Sequence, residues 1–108
     1  MMTSHMEPLS TPLRIRTAEQ TCDLSPTQYE GFLDDGRFFY LRYSWGELYL
    51  GIGNDLEDAL GKMQLIGKPG EWGDGVLFYD EIVQHTAKHL DWSNAEVKNA
   101  RTSPLQLR

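Results

Sequence analysis

A chain of 108 residues with 40% apolar residues and a net charge of −6 is long enough to bury roughly two-thirds of its unfolded surface without metal or disulfide staples. Its single cysteine, Cys22, excludes an intramolecular disulfide and fits a reducing compartment. No apolar run approaches the ~18 residues that span a bilayer, and no basic-then-apolar leader stands at the start, so the expectation is a cytoplasmic protein with no membrane partner. Residues 23–81 carry twelve acids against four bases. A middle this acidic repels phosphate, which disfavours nucleic acid as a partner and leaves a solvated surface or a nucleic-acid mimic as its use.

Residues 1–11 show no periodicity and are expected to be disordered, with residues 1–5 as a cloning remnant before Met6. Residues 12–103 are expected to form one domain and 104–108 a tail. Leu13-Arg14-Ile15-Arg16-Thr17 alternates strictly, as in an edge strand whose arginines discourage further pairing. Residues 23–27 are a connector. Eight of the twelve aromatic residues lie between Tyr29 and Tyr49. With turns at Asp35-Gly36 and Trp45-Gly46, they predict an antiparallel meander of three strands. An even turn at Trp45-Gly46 pairs Tyr43 with Leu48, Leu41 with Leu50 and Phe39 with Ile52. That register makes those six residues a core face and places Phe38, Tyr40, Arg42, Glu47 and Tyr49 on the reverse.

Asn54 or Asp55 caps a predicted helix running to about Leu65, with Leu56, Leu60 and Met63 on its apolar stripe and Gly67 as a left-handed cap. Residues 67–75 are a glycine-rich loop bearing Trp72. Val76–Tyr79 is either a fourth strand or a buried approach to a helix that starts at Asp80 and runs through Leu90, burying Ile82, Val83, Ala87 and Leu90. Ser93-x-x-Glu96 reads as a capping box for a last short helix ended by Ser103-Pro104. The fold class is α+β: a three- or four-stranded antiparallel meander with two or three short helices packed mainly on one face.

Glu81, His85 and His89 recur every four residues on the second helix, a spacing that suits a transition metal. A fourth ligand and a second shell are not nominated, and the glutamate that zinc proteases need beside the first histidine is missing. Asp74-Gly75 with Glu81 imitates half of a calcium loop, but Gly70 and Trp72 stand where oxygen ligands are required. Gly51-x-Gly53 lacks the third glycine of a dinucleotide turn, and Cys22 has no neighbouring histidine to activate it. No cofactor and no catalytic residue are therefore expected. The remaining candidates are Phe38, Tyr40, Arg42 and Tyr49 on the sheet reverse, with Trp72 in the loop. They form an aromatic–arginine set of the kind enriched in protein interface hot spots.

The segment D-G-R-F-F-Y-L-R-Y-S-W-G-E-L-Y-L-G-I-G, Asp35 to Gly53, resembles stretches in small uncharacterised proteins of actinobacteria and their phages. The resemblance implies an accessory role, such as a phage product that binds and inhibits a host protein. The expectation is a non-enzymatic interaction module that binds another protein through the sheet reverse and the 67–75 loop. Self-association is left open, an acidic nucleic-acid mimic is the alternative, and a metal protein or enzyme built on the Glu/His/His stripe is least favoured.

Overall fold

Two short turns set the register of the whole molecule, whose computed structural model describes residues 11–22, 27–70 and 76–101. Strands β1 (Leu13–Cys22), β2 (Thr27–Leu33), β3 (Phe38–Ser44) and β4 (Glu47–Gly53) form an antiparallel meander. Between β2 and β3 the Leu33 carbonyl accepts from Gly36 N–H (3.0 Å), and Leu33 N–H donates to the Arg37 carbonyl (2.8 Å). Gly36 sits at φ 93°, giving a three-residue loop that closes on a left-handed glycine. Between β3 and β4, Trp45 and Gly46 both have positive φ, at 56° and 76°. That is the signature of the two-residue I′ turn, whose twist matches that of the strands it joins.

The β3–β4 pairing is the one expected: Phe39 with Ile52, Leu41 with Leu50, Tyr43 with Leu48. Phe39, Leu41, Tyr43 and Leu48 are fully buried, as is Tyr29, the β2 partner of Leu41. On this face lies α2 (Tyr79–Thr86), which sends Ile82 into the core. Trp92 binds the layers together. Its ring meets Tyr29, Phe39 and Tyr79 edge-on at 5.5–6.1 Å, and its indole N–H donates to Thr86 Oγ1 at 2.8 Å. Tilted and edge-on aromatic pairs of this sort add to plain area burial.

The sheet is larger than expected: among the described residues it has seven strands, in the order β5-β4-β3-β2-β1-β6, with β7 also on β1. Leu13–Thr17 is therefore not an edge. β1 takes β2 antiparallel on one side, and β6 (Leu90–Asp91) and β7 (Glu96–Lys98) parallel on the other. A bulge places Ile15 opposite Leu33 but Thr17 opposite Phe32. The extra residue breaks the strict alternation, so Ile15 and Ala18 share the buried face.

The expected helix to Leu65 ends early. α1 spans only Leu56–Leu60, capped by the Asp55 carboxylate, which accepts from Asp58 N–H at 2.9 Å. Glycine in a helix interior costs about 1 kcal/mol relative to alanine, so the chain turns at Gly61. Gln64–Gly67 then becomes β5, hydrogen-bonded along the open side of β4, and Gly67 is a strand residue rather than a left-handed cap. Leu56 and Leu60 are exposed, and Ala59 is the buried residue of α1. Val76–Phe78 is not a strand but the approach to the helix, and of the three only Leu77 is buried, its N–H donating to Thr27 Oγ1 at 3.0 Å; Val76 is exposed. The second helix is capped at Phe78 rather than Asp80 and stops at Thr86, so Ala87 is exposed and Leu90 is buried from β6. Glu96–Lys98 is a strand where a last helix was expected. Asp91 Oδ1 accepts from both the N–H (2.9 Å) and the hydroxyl (2.7 Å) of Ser93, which makes a side-chain turn rather than a helix cap.

Candidate functional site

The strand register assigns every side chain of the reverse face. One row crosses the sheet as Thr17, Phe32, Phe38 and Gly53; the next as Glu19, Glu30, Tyr40 and Gly51; a third as Gln28, Arg42, Tyr49 and Leu65. Helix α1 lies on this face, not with α2. A Cβ on Gly51 would meet the Ala59 carbonyl oxygen at 2.1 Å, and one on Gly53 would meet Ala59 N at 2.7 Å. The two glycines thus provide a flat bed on which the α1 backbone rests. The expectation that the helices pack mainly on one face is corrected accordingly: the described helices take opposite faces.

That placement divides the predicted set. Tyr40, paired with Gly51 in the bed, is only 8% exposed; it is a second-face core residue and not a contact side chain. Phe38 is half-buried and packs edge-on against Phe32, with ring centroids 5.3 Å apart. Arg42 is exposed and stands directly across from half-buried Tyr49. Tyr49 donates its hydroxyl to Glu47 Oε1 at 2.6 Å, and this bond to a carboxylate pushes the phenol above its ordinary range. Lys68 Nζ lies 3.9 Å from the same carboxylate group. Trp72 lies outside the described residues, as do residues 71–75 of the loop.

The turn end of the β3–β4 hairpin therefore gathers Arg42, Glu47, Tyr49 and Lys68, with Leu65 (46% exposed) beside Tyr49 and Trp45 (66% exposed) at the tip. Trp45 and Leu65 are the residues the sequence reading missed. A signal for Trp45 was present: an even two-residue turn in this register forces its φ positive. Bulky side chains rarely adopt that conformation, at a cost of about 1–3 kcal/mol. Asparagine or aspartate is the usual occupant. No such signal marked Leu65, which was assigned to a helix.

The Glu/His/His stripe does not persist. Glu81 accepts from Phe78 N–H at 2.9 Å as part of the helix cap, His85 is exposed in the last turn, and His89 lies beyond the end of α2. Among the described residues no three of His, Cys, Asp and Glu converge. A cleft of about 540 Å³ beside α2 is lined by Val83, Ala87 and Leu90, with Asp80, Asp91 and Ser93 around it. Its serine hydroxyl is bonded into its own turn by Asp91, and no histidine is among its described lining residues. No described helix is long and apolar enough to cross a membrane. Comparison of the chain with protein-family models, with curated proteins and with solved structures gives no significant match in any of the three.

Proposed function

We propose that this chain is a non-enzymatic protein-interaction module that contacts another protein through the turn end of the β3–β4 hairpin and the adjoining sheet reverse. The observation that carries this reading is Trp45, a large aromatic side chain 66% exposed at φ 56°. Neither its exposure nor its backbone conformation favours folding. Strained positions held by a surrounding scaffold concentrate at functional sites, and exposed tryptophan flanked by tyrosine and arginine is the composition of an interface hot spot. Arg42 supplies a planar group that hydrogen-bonds and stacks, while the Tyr49–Glu47 bond fixes its neighbour before any partner arrives. The resemblance of Asp35–Gly53 to phage and actinobacterial proteins supports a host protein as the partner and inhibition as the outcome. The aromatic and cationic groups at the hairpin end favour a protein contact over nucleic-acid mimicry.

The test begins with a pull-down by the whole chain from lysate of its native host. The purified partner is then titrated against Trp45→Ala, Arg42→Ala and Tyr49→Ala, each first shown to be folded by circular dichroism. At least Trp45→Ala and one other should lose about 2 kcal/mol or more of binding. The affinity should also depend only weakly on salt, unlike that of a charge mimic. Three folded variants with unchanged affinity would remove the reading.

A further inference from the structure

On the same sheet face, towards the end of β3 away from the β3–β4 turn, lies a groove of about 300 Å³ between β7, β1, β2 and the start of β3. Its aromatic side is the Phe32–Phe38 pair, with Phe32 47% exposed. Its polar side holds Glu19, Glu30 and Glu96, with Lys98 across from Glu19 on β7. Glu19 and Glu30 are register partners on neighbouring strands. Two carboxylates directly opposite each other repel and destabilise a sheet, yet Asn99 Nδ2 donates to Glu19 Oε2 at 3.1 Å and holds that carboxylate in place. The nearest arginines do not supply the missing cation: Arg16 donates to the Asp34 carbonyl at 2.8 Å, and Arg42, a diagonal neighbour of Glu30 across from Gln28, makes no ion pair with it among the described residues. Among the described lining residues three acids stand against one lysine, which makes this lining anionic, and α1 covers only the far half of this face.

We infer that the groove receives an arginine side chain from an extended segment of the protein partner. The guanidinium plane would lie against the exposed ring of Phe32 while its N–H groups reach Glu30 and Glu19. A planar cation suits this arrangement because it stacks on an aromatic face and presents donors in a fixed fork. An ammonium can pair with the carboxylates and lie over the ring, but it lacks the plane that stacks on the ring and the fork that meets two carboxylates at once. The inference rests on the sheet reverse being the contact face, and it adds the chemistry of the occupant.

The test is a two-dimensional NMR titration of the whole ¹⁵N-labelled chain with acetylated, amidated hexa-arginine, compared with hexa-lysine. Hexa-arginine should give saturable shifts centred on Glu19, Glu30, Phe32 and Glu96, with roughly fivefold or greater preference over hexa-lysine. The Glu19→Gln/Glu30→Gln double variant should bind roughly tenfold or more weakly and melt at or above the wild-type temperature, since it removes a like-charge pair. Phe32→Leu should reduce hexa-arginine to the hexa-lysine affinity. Equal affinity for the two peptides, shifts centred on the acids of α1, unchanged binding by the double variant, or its melting below wild type would each overturn the inference. Trp45→Ala should leave hexa-arginine binding intact. Partner binding that is lost in Trp45→Ala but unaffected by the two glutamine substitutions would therefore sink the groove and leave the hairpin-end reading standing.

Discussion

Tyr29 shows how a single side chain can couple the sheet to the end of the described chain. Its hydroxyl is buried and donates to Gln20 Oε1 at 3.0 Å, and the same oxygen accepts Arg101 N–H at 2.7 Å. Burial, with smaller contributions from Tyr79 and Asp80, pushes this phenol well above its ordinary value of 10.0. The unfolded chain therefore ionises first. Stability is fully present below that value and falls as pH rises through it. Tyr29→Phe should cost about 1 kcal/mol at neutral pH, because Gln20 keeps its second donor, and should flatten the alkaline decline in a urea-unfolding series. The acid side has the opposite sign. Asp35, held low chiefly by the Arg37 side chain, Asp58, by Asn54 N–H and then Lys62, and Asp91, by Ser93, all titrate below the usual aspartate range. Their contribution is present above the unfolded value near 3.8 and is lost as pH falls through the folded ones, so the unfolding midpoint should drop below that pH and not above it.

Among the elements, α1 departs furthest from its sequence pattern. Leu56, Leu60 and Met63 have helical spacing, but the helix is one and a half turns long and seats Ala59, not the leucines, on the sheet. The informative residues were Gly51 and Gly53, read as a failed nucleotide turn when they are the bed for a helix. Gly51→Ala would drive a Cβ into the Ala59 carbonyl and to within 2.9 Å of Met63 Sδ, and should destabilise by about 1–3 kcal/mol as overpacking does. Leu48→Ala, at a fully buried position, should cost about 2–5 kcal/mol. Leu60→Ala should stay within roughly 0.5 kcal/mol, as exposed substitutions do. A denaturant series on these three variants checks the placement of α1. The meander itself was legible because alternation and turn chemistry agree there: two glycine turns, one even register and one face of large apolar groups. Local signals failed where tertiary pairing overrode propensity, at Gln64–Gly67 and Glu96–Lys98. Both short segments are strands only because β4 and β1 offer them hydrogen-bonding edges.

At the scale of the whole molecule, chain order does not reveal sheet order. β6 and β7 follow the last helix and return to lie parallel to the first strand, a pairing that spans almost the full described sequence and leaves no local trace. Of the predicted site, Arg42, Tyr49 and Phe38 were placed on the correct face by period-two reasoning alone. Tyr40 was misjudged because that reasoning gives the face and not what covers it. The structure divides the reverse into a half closed by α1 and an open half that runs from the acidic groove to the hairpin tip. The proposed function lies on the open half, and it depends most on the exposed Trp45 at its strained turn position. Thermal unfolding of Trp45→Asn tests this directly, since asparagine suits the I′ turn that tryptophan strains. The account predicts a gain of about 1 kcal/mol, a rise in melting temperature of roughly 4–8 °C; a variant that melts below the wild type would show that Trp45 supports the fold and would contradict it.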